Sequence, residues 1–173
     1  NHLPSHTPEF VSACGEMLYS PTACAFSNDG TILFACGKDG EDNSAIGLYR
    51  LVNGEWKESS LFSSTAAGYE CLSGASDITV NPNTGMVYVC AGNPGGISMW
   101  SYNPDQQSLN LQQNVTPENL GVDISSLSTI THIPASTEIA AASRDRDTLF
   151  FINLGSLPEE AAVTAQFIDD ENG

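Results

Sequence analysis

One pattern of short strands recurs along the chain, and it restricts the possible folds more than any other feature. Three short apolar runs end at equivalent positions, Phe26, Val80 and Ile133. These positions lie 54 and 53 residues apart, and ten residues further on a second run closes at Cys36, Cys90 and Ser143. Such a recurrence is typical of a supersecondary unit that stacks against copies of itself. The sequence therefore predicts three similar units.

Each unit contains four short segments with the composition of β-strands. The second runs span 31–36, 86–90 and 139–143, the third runs span 45–51, 97–102 and 148–154, and a weaker fourth segment follows at 57–63, 108–113 and 162–168. The runs are rich in Val, Ile, Tyr, Phe and Thr, and residues such as Asn and Gly separate them, which predicts strands and tight turns. The stretch 157–167 also suits a helix, because Pro158 and the two glutamates after it are favourable in a first helical turn.

The second strand of each unit is apolar on both faces, as in the sequence Met-Val-Tyr-Val-Cys-Ala at 86–91. A strand of this kind is covered on both sides. We therefore predict an all-β chain of about three four-stranded antiparallel β-propeller blades, at 16–69, 70–122 and 123–169. A lead-in segment at 1–15 precedes them and an acidic tail at 170–173 follows. A two-sheet sandwich is the alternative fold, but it would expose one face of most strands.

The second unit resembles a known type of propeller blade. Its Tyr-Val strand at 87–90, followed by a polar turn and the strand ISMWSY, is similar to lactonase-like and YVTN blades, and SRDRDTLFFINL in the third unit is similar to a WD40 blade. The resemblance covers 16–169 and implies the fold alone, because such blades serve many functions. Propellers typically have about 4–8 blades. We therefore expect a larger closed ring, completed by another copy of the chain or by the missing remainder of the propeller.

The charge of the chain limits its partners. With 21 acidic and 5 basic side chains, the formal net charge is −16. This field repels phosphate backbones and anionic membrane surfaces, so we expect no nucleic-acid and no membrane partner. No run of 18 apolar residues is present either. Cations and protein partners with a basic surface are compatible with this charge, which also serves solubility.

Three carboxylates occupy matching positions ten residues before the ends of the first runs, namely Glu16, Glu70 and Asp123. In a propeller the segment before the innermost strand leads to the central channel, so these side chains would converge at the channel mouth. Oxygen ligands of this type suit Ca²⁺. The sequence thus predicts a calcium or other divalent-cation site, with three solvated loop acids as the alternative. The acidic loop 39–43 lacks the order of an EF-hand, and we expect a solvated turn there. Asp145 and Asp147 lie beside Arg144 and Arg146, and we expect these charges to pair locally within a turn.

Catalytic motifs are missing from the sequence, and His132 falls in a predicted inner strand, where we expect a structural role. The five cysteines contain no C-x-x-C pair, and most of them lie in apolar runs. Asn114-Val115-Thr116 forms a glycosylation sequon, which favours a secretory compartment. We predict a non-enzymatic propeller module or subunit that mediates protein interaction or assembly. The alternative is a metal-dependent lactonase-like hydrolase.

Overall fold

The computed structural model describes residues 17–92, 95–155 and 160–168, and their strands form three four-stranded antiparallel sheets. Sheet one contains β1 (Ser20–Phe26), β2 (Ile32–Lys38), β3 (Ser44–Val52) and β4 (Glu55–Ser63). Sheet two contains β5 (Ala75–Val80), β6 (Val87–Ala91), β7 (Gly96–Asn103) and β8 (Ser108–Val115). Sheet three contains β9 (Leu127–His132), β10 (Glu138–Ser143), β11 (Thr148–Asn153) and β12 (Ala162–Ile168). The prediction of an all-β chain with three four-stranded units is confirmed.

Helical structure in the described chain is short. It comprises two 3-10 helices and one α-helix, Glu70–Leu72, Arg144–Arg146 and α1 (Pro117–Leu120), and the single residue Glu160 in 3-10 conformation. The segment that also suited a helix continues as strand β12, so the fourth-strand alternative is the correct one for 162–168. Within the described ranges, no helix is long and apolar enough to cross a membrane.

The strands of each sheet lie side by side in chain order, and the first strands meet at the centre. Strand β1 contacts β5, and β5 contacts β9, so these three are the inner strands. Every sheet therefore has two rims. The upper rim carries the turns between second and third strands and the connections between sheets. The lower rim carries the turns between first and second strands and between third and fourth strands.

Two apolar seams hold the sheets together. The first seam, between sheets one and two, packs Phe34 and Leu48 against Val89 and the fully buried Trp100. The second seam, between sheets two and three, is built from smaller side chains and is best represented by Tyr88, Ile97, Ile130, Phe150 and Ile152. Strand β6 contributes to both seams and is buried over its whole length. This confirms for β6 the prediction that the second strand is covered on both faces. In β10 one face is only half-buried, because no further blade covers it among the described residues.

The inner strands share one structural feature, a β-bulge whose extra residue has a hydroxyl side chain. The bulged residues are Thr22, Ser76 and Ser128. Their hydroxyls donate to carbonyl oxygens on the neighbouring strand, those of Cys36, Cys90 and Ala142, at 3.2–3.3 Å. Bulges bend a strand and increase its twist. The repeated hydroxyl thus supplies a hydrogen bond where the ladder of the inner strand is interrupted.

Strand pairing corrects the predicted spacing of the third unit. Cys36 pairs with Ala23 and Cys90 with Asp77, whereas in sheet three Ala142 pairs with Thr129. The equivalent residues 36, 90 and 142 are 54 and 52 positions apart, so the predicted 53 is wrong by one. A slip of one residue moves every side chain of a strand to the opposite face. The counterpart of Val80 is consequently His132, not Ile133.

Candidate functional site

Glu70 lies on the upper rim, in the 3-10 helix that leads from sheet one into sheet two. Its side chain is exposed and lies beside the start of β7 and the end of β8. The backbone amides of Glu70 itself and of Gly68 hold the pKa of this carboxyl below its usual range. Glu70 is therefore an ionised upper-rim carboxylate beside the outer strands of its own sheet.

Asp123 also lies on the upper rim, in the connection before β9. One carboxylate oxygen accepts a hydrogen bond from the Ser125 amide at 2.9 Å, and the other pairs with the Arg146 guanidinium. The Ser125 amide, together with the Arg146 charge, holds the pKa of Asp123 below its usual range. With the spacing of 52 between units two and three, the strict counterpart of Glu70 is Val122. Asp123 thus already has a cation partner within the protein.

Glu16, the third carboxylate of the predicted cation site, lies outside the described residues. Among 17–92, 95–155 and 160–168, no three His, Cys, Asp or Glu side chains lie close enough together to hold a metal ion. Because this finding does not cover Glu16, the site with Glu16, Glu70 and Asp123 stays a prediction.

The other acidic segments form local contacts. In the loop 39–43, the Asp39 carboxylate accepts hydrogen bonds from the backbone amides of Glu41 and Asn43, each at 2.9 Å. Arg144 pairs with Asp145 at 3.6 Å, as predicted for this turn. Arg146 pairs with Asp123 rather than with Asp147, so that half of the predicted local pairing is wrong. The reason is that the connection before β9 passes over this turn.

A carboxylate that sequence reasoning missed joins two inner strands. Asp77 on β5 accepts hydrogen bonds from the Thr129 hydroxyl at 2.6 Å and from the Ile130 amide at 2.9 Å, both on β9. Asp77 directly follows the bulged Ser76, whose hydroxyl also donates to the Leu127 carbonyl oxygen at 2.7 Å. The available signal was an aspartate inside the otherwise uncharged strand ASDITV. Its role is to fasten sheet three to sheet two.

His132 is buried at the end of β9, in the inner strand where it was predicted. Its Nε2 donates to the Ser136 carbonyl oxygen at 3.0 Å, and its ring stacks on Tyr88 with 6.1 Å between centroids. Within the described part of the chain, Nδ1 has no hydrogen-bond partner. The stacking on Tyr88 and the bond to Ser136 agree with a structural role.

The described cysteines are all free thiols. Cys90 is buried next to the Ser76 hydroxyl at 3.2 Å, and burial raises its pKa to about 12. Burial also raises the pKa of Cys36, whose thiol contacts Thr22. Thiols with raised pKa values are poor nucleophiles at neutral pH. Cys36 and Cys90 therefore serve as small core residues, as expected from the apolar runs around them.

Two of the concave surfaces of the described chain lie away from Glu70 and Asp123. A cavity of about 510 Å³ opens on the lower rim of the first seam, between the turn after β1 and the end of β7. A shallower depression of about 540 Å³ lies on the face of sheet three that is turned away from sheet two. Leu149, Phe167 and Ile168 line this depression and are 38%, 64% and 54% exposed.

Comparison with known proteins identifies the architecture. No family model and no curated protein sequence matches the chain. A provisionally assigned 6-phosphogluconolactonase from Bacteroides uniformis superposes with a TM-score of 0.67 at 15% identity, covering 96% of this chain and 47% of that one. The chain has a β-propeller fold. Its three sheets are blades, and β1, β5 and β9 are their inner strands.

Two further solved propeller matches agree. A protein from Lactobacillus plantarum gives a TM-score of 0.61 at 17% identity over 86% of this chain and 41% of that one. The periplasmic gluconolactonase PpgL of Pseudomonas aeruginosa gives 0.55 at 16% identity over 77% and 39%. The chain thus spans less than half the length of each of these propellers. Identities this low establish the fold and carry no activity with them.

Proposed function

We propose that this chain is a non-enzymatic β-propeller module whose function is assembly through the outer face of its third blade. The observation that supports this proposal is the burial of equivalent residues on the third strands. Ile46 in blade one and Ile97 in blade two are completely buried in the two seams, whereas their counterpart Leu149 in blade three is 38% exposed. This apolar position is buried in both blades that have a neighbouring blade on that side. Its exposure in blade three therefore supports a partner that covers this face.

The occupant of this face, in our proposal, is the third blade of a second copy. The outer face of blade one is less accessible, because Leu18 packs there with Ala45 and Tyr49. Blade three has no such cover among the described residues, and its Phe151 and Phe167 rings meet edge to face at 6.0 Å, making a continuous apolar surface. Two copies of one face form an isologous interface with twofold symmetry, which differs from the packing of successive blades in a closed ring. The net charge of −16 opposes self-association, so salt should strengthen it.

Sedimentation velocity tests this proposal. The wild-type chain should sediment as a dimer, more completely at about 0.5 M than at about 0.05 M salt, because added salt screens the repulsion between copies. Leu149→Glu combined with Phe167→Glu should give a monomer with unchanged circular dichroism. Leu51→Glu, at a side chain 41% exposed on blade one, is the matched control and should remain dimeric. A wild-type chain that is a stable, well-folded monomer at both salt concentrations would contradict the proposal.

A metal-dependent lactonase-like hydrolase is the second candidate. It is favoured by the names of the matched propellers, among them a provisionally assigned 6-phosphogluconolactonase and a gluconolactonase. In this case Ca²⁺ would be held by Glu16, Glu70 and Asp123, and it would compete with Arg146 for Asp123.

Calcium-dependent hydrolysis of gluconolactone, measured by acid release, tests this second candidate. A chelator should abolish the activity and lower the melting temperature. Both effects should disappear in a variant that combines Glu16→Gln, Glu70→Gln and Asp123→Asn, while Glu118→Gln, at another exposed upper-rim acid, should behave as the wild type. If neither activity nor melting temperature responds to calcium, this candidate is excluded.

A further inference from the structure

The cavity on the lower rim of the first seam is a built feature of the fold. Two hydrogen bonds join blade one to blade two near this cavity. The side-chain amide of Asn28, which lines the cavity, donates to the Pro82 carbonyl oxygen, and the Ser60 hydroxyl donates to the Gln107 carbonyl oxygen at 3.1 Å. The aromatic rings of Phe34 and Tyr102 meet edge to face inside, with 5.8 Å between centroids. The cavity is therefore held open by both blades.

Arg50 supplies a positive charge to this cavity. It follows Ile46 and Leu48 at alternate positions of β3, and both of those side chains are buried in the first seam. In the part of the chain that the structure describes, the other four basic side chains are in ion pairs with Asp42, Glu55, Asp145 and Asp123. Arg50 is half-buried and belongs to none of these pairs. A partly desolvated guanidinium with no ion-pair partner favours an anion.

The other residues that line the cavity indicate which further groups a ligand should have. Ile32, Phe34, Met86 and Tyr102 provide an apolar wall. Asp29 provides a carboxylate, which is held ionised by its own turn: the Ser27 hydroxyl and the Thr31 amide and hydroxyl bring its pKa to about 2. Because Asp29 repels a second negative charge and accepts a hydrogen bond, it favours a monoanion with a hydroxyl group over a phosphate.

The equivalent place in the second seam is closed. Tyr102 of blade two corresponds to Leu154 of blade three, which is buried, and the backbone carbonyl of Leu154 accepts a hydrogen bond from the buried Gln113 side chain at 2.9 Å. The position of Arg50 is taken by the neutral Ser101 in blade two and Asn153 in blade three. Of the two described seams, only the first has both an open cavity at the lower rim and an arginine that lines it.

We propose that this cavity binds a small aromatic monocarboxylate. The carboxylate pairs with Arg50, the ring lies against Phe34 and Tyr102, and a hydroxyl on the far side of the ring donates to Asp29. Neither the assembly role nor the lactonase alternative requires this site, since both involve the third blade or the upper rim.

Titration of the wild-type chain with 4-hydroxybenzoate, followed by two-dimensional NMR, tests the site. We expect saturable shifts of the Arg50 and Tyr102 resonances. The neutral analogue 4-hydroxybenzamide should bind about tenfold or more weakly, because it lacks the charge-assisted contact. Benzoate should also bind more weakly, because it lacks the hydroxyl. Inorganic phosphate should produce no saturable shift at these residues.

Arg50→Gln should weaken 4-hydroxybenzoate binding by about tenfold or more, with an unchanged melting temperature. Arg144→Gln is the matched control, since Arg144 is exposed on the upper rim, and it should bind as the wild type. Equal binding of the acid and the amide by the wild-type chain would overturn the proposal, and this comparison needs no variant to fold. Unsaturable binding at millimolar ligand, or tighter binding of phosphate, would overturn it as well.

Discussion

The two seams of this propeller use equivalent strand positions and differ in how they are closed. The first seam buries the large aromatic side chains of Phe34 and Trp100, with the partly buried Tyr69 packed against them, and leaves an open cavity at its lower rim. The second seam buries mainly aliphatic side chains and is sealed at the same rim by Leu154. The same four-stranded repeat can thus form a seam with an open cavity or a sealed seam, depending on a few residues at its lower rim.

The inner strands show a second difference between the seams. In the second seam Asp77 fastens β5 to β9 through two hydrogen bonds. The equivalent position of blade one is Ala23, which cannot form such bonds to β5. The first seam is therefore held chiefly by aromatic burial, and the second by aliphatic burial together with the partly exposed hydrogen bonds of Asp77.

Truncation of Trp100 should have the largest effect. Its side chain is fully buried, its ring meets Tyr69 edge to face at 5.0 Å, and its Nε1 donates to the Ser98 hydroxyl at 2.8 Å. Trp100→Ala should lower the free energy of unfolding by about 3–5 kcal/mol, as measured by urea denaturation. Trp56→Ala, at a half-buried tryptophan of β4 outside this seam, should cost clearly less. Equal losses would show that the first seam does not depend on aromatic burial.

Removal of the Asp77 carboxylate should weaken the second seam by a smaller amount. Asp77→Ala leaves the Ile130 amide and the Thr129 hydroxyl without their partner, at a cost of about 1.5–3 kcal/mol. Hydrogen exchange of the Ile130 amide should accelerate, while amides of β2 should be affected less. Asp105→Ala, in the exposed turn after β7, is the control. Unchanged exchange at Ile130 would refute this role of Asp77.

Acid should affect the first seam through Asp29, with the smallest effect of the three. Hydrogen bonds from Ser27 and Thr31 lower the pKa of Asp29 from 3.8 to about 2 in the folded chain. Because the folded pKa is depressed, the stabilisation is present above the unfolded value near pH 4 and is lost as the pH falls towards 2. The melting temperature of Asp29→Asn should depend less on pH in this window than that of the wild type.

The corresponding turn of blade two serves as an internal control, because it is held by a neutral residue: the Asn81 side-chain oxygen accepts from the Asn83 amide at 2.8 Å. NMR of the Asn83 amide should show no titration between pH 2 and about 4, whereas the Thr31 amide should titrate. An Asp29 carboxyl that titrates near its ordinary value would disprove the expected pH dependence.

Much of the architecture could be predicted because its signals are local. Short runs of β-forming residues and the turn residues between them correctly predicted strands such as β6 and β7, and apolar residues on both faces of β6 correctly predicted blades on both sides. The third unit shows where this approach fails. The predicted anchor Ile133 is one residue beyond the true counterpart His132, because connection lengths vary between units and carry no periodic signal.

The candidate sites depended on contacts between distant parts of the chain, and these were much harder to predict. The pairing of Asp123 with Arg146, the hydrogen bonds formed by Asp77 and the exposure of Leu149 each join or compare residues from separate strands. The amino-acid order therefore determines four strands per unit and three units, because strand and turn preferences act over a few residues. Which charges meet, which seam closes and which face stays open follow from the packing of blades, because these contacts join residues more than 20 positions apart.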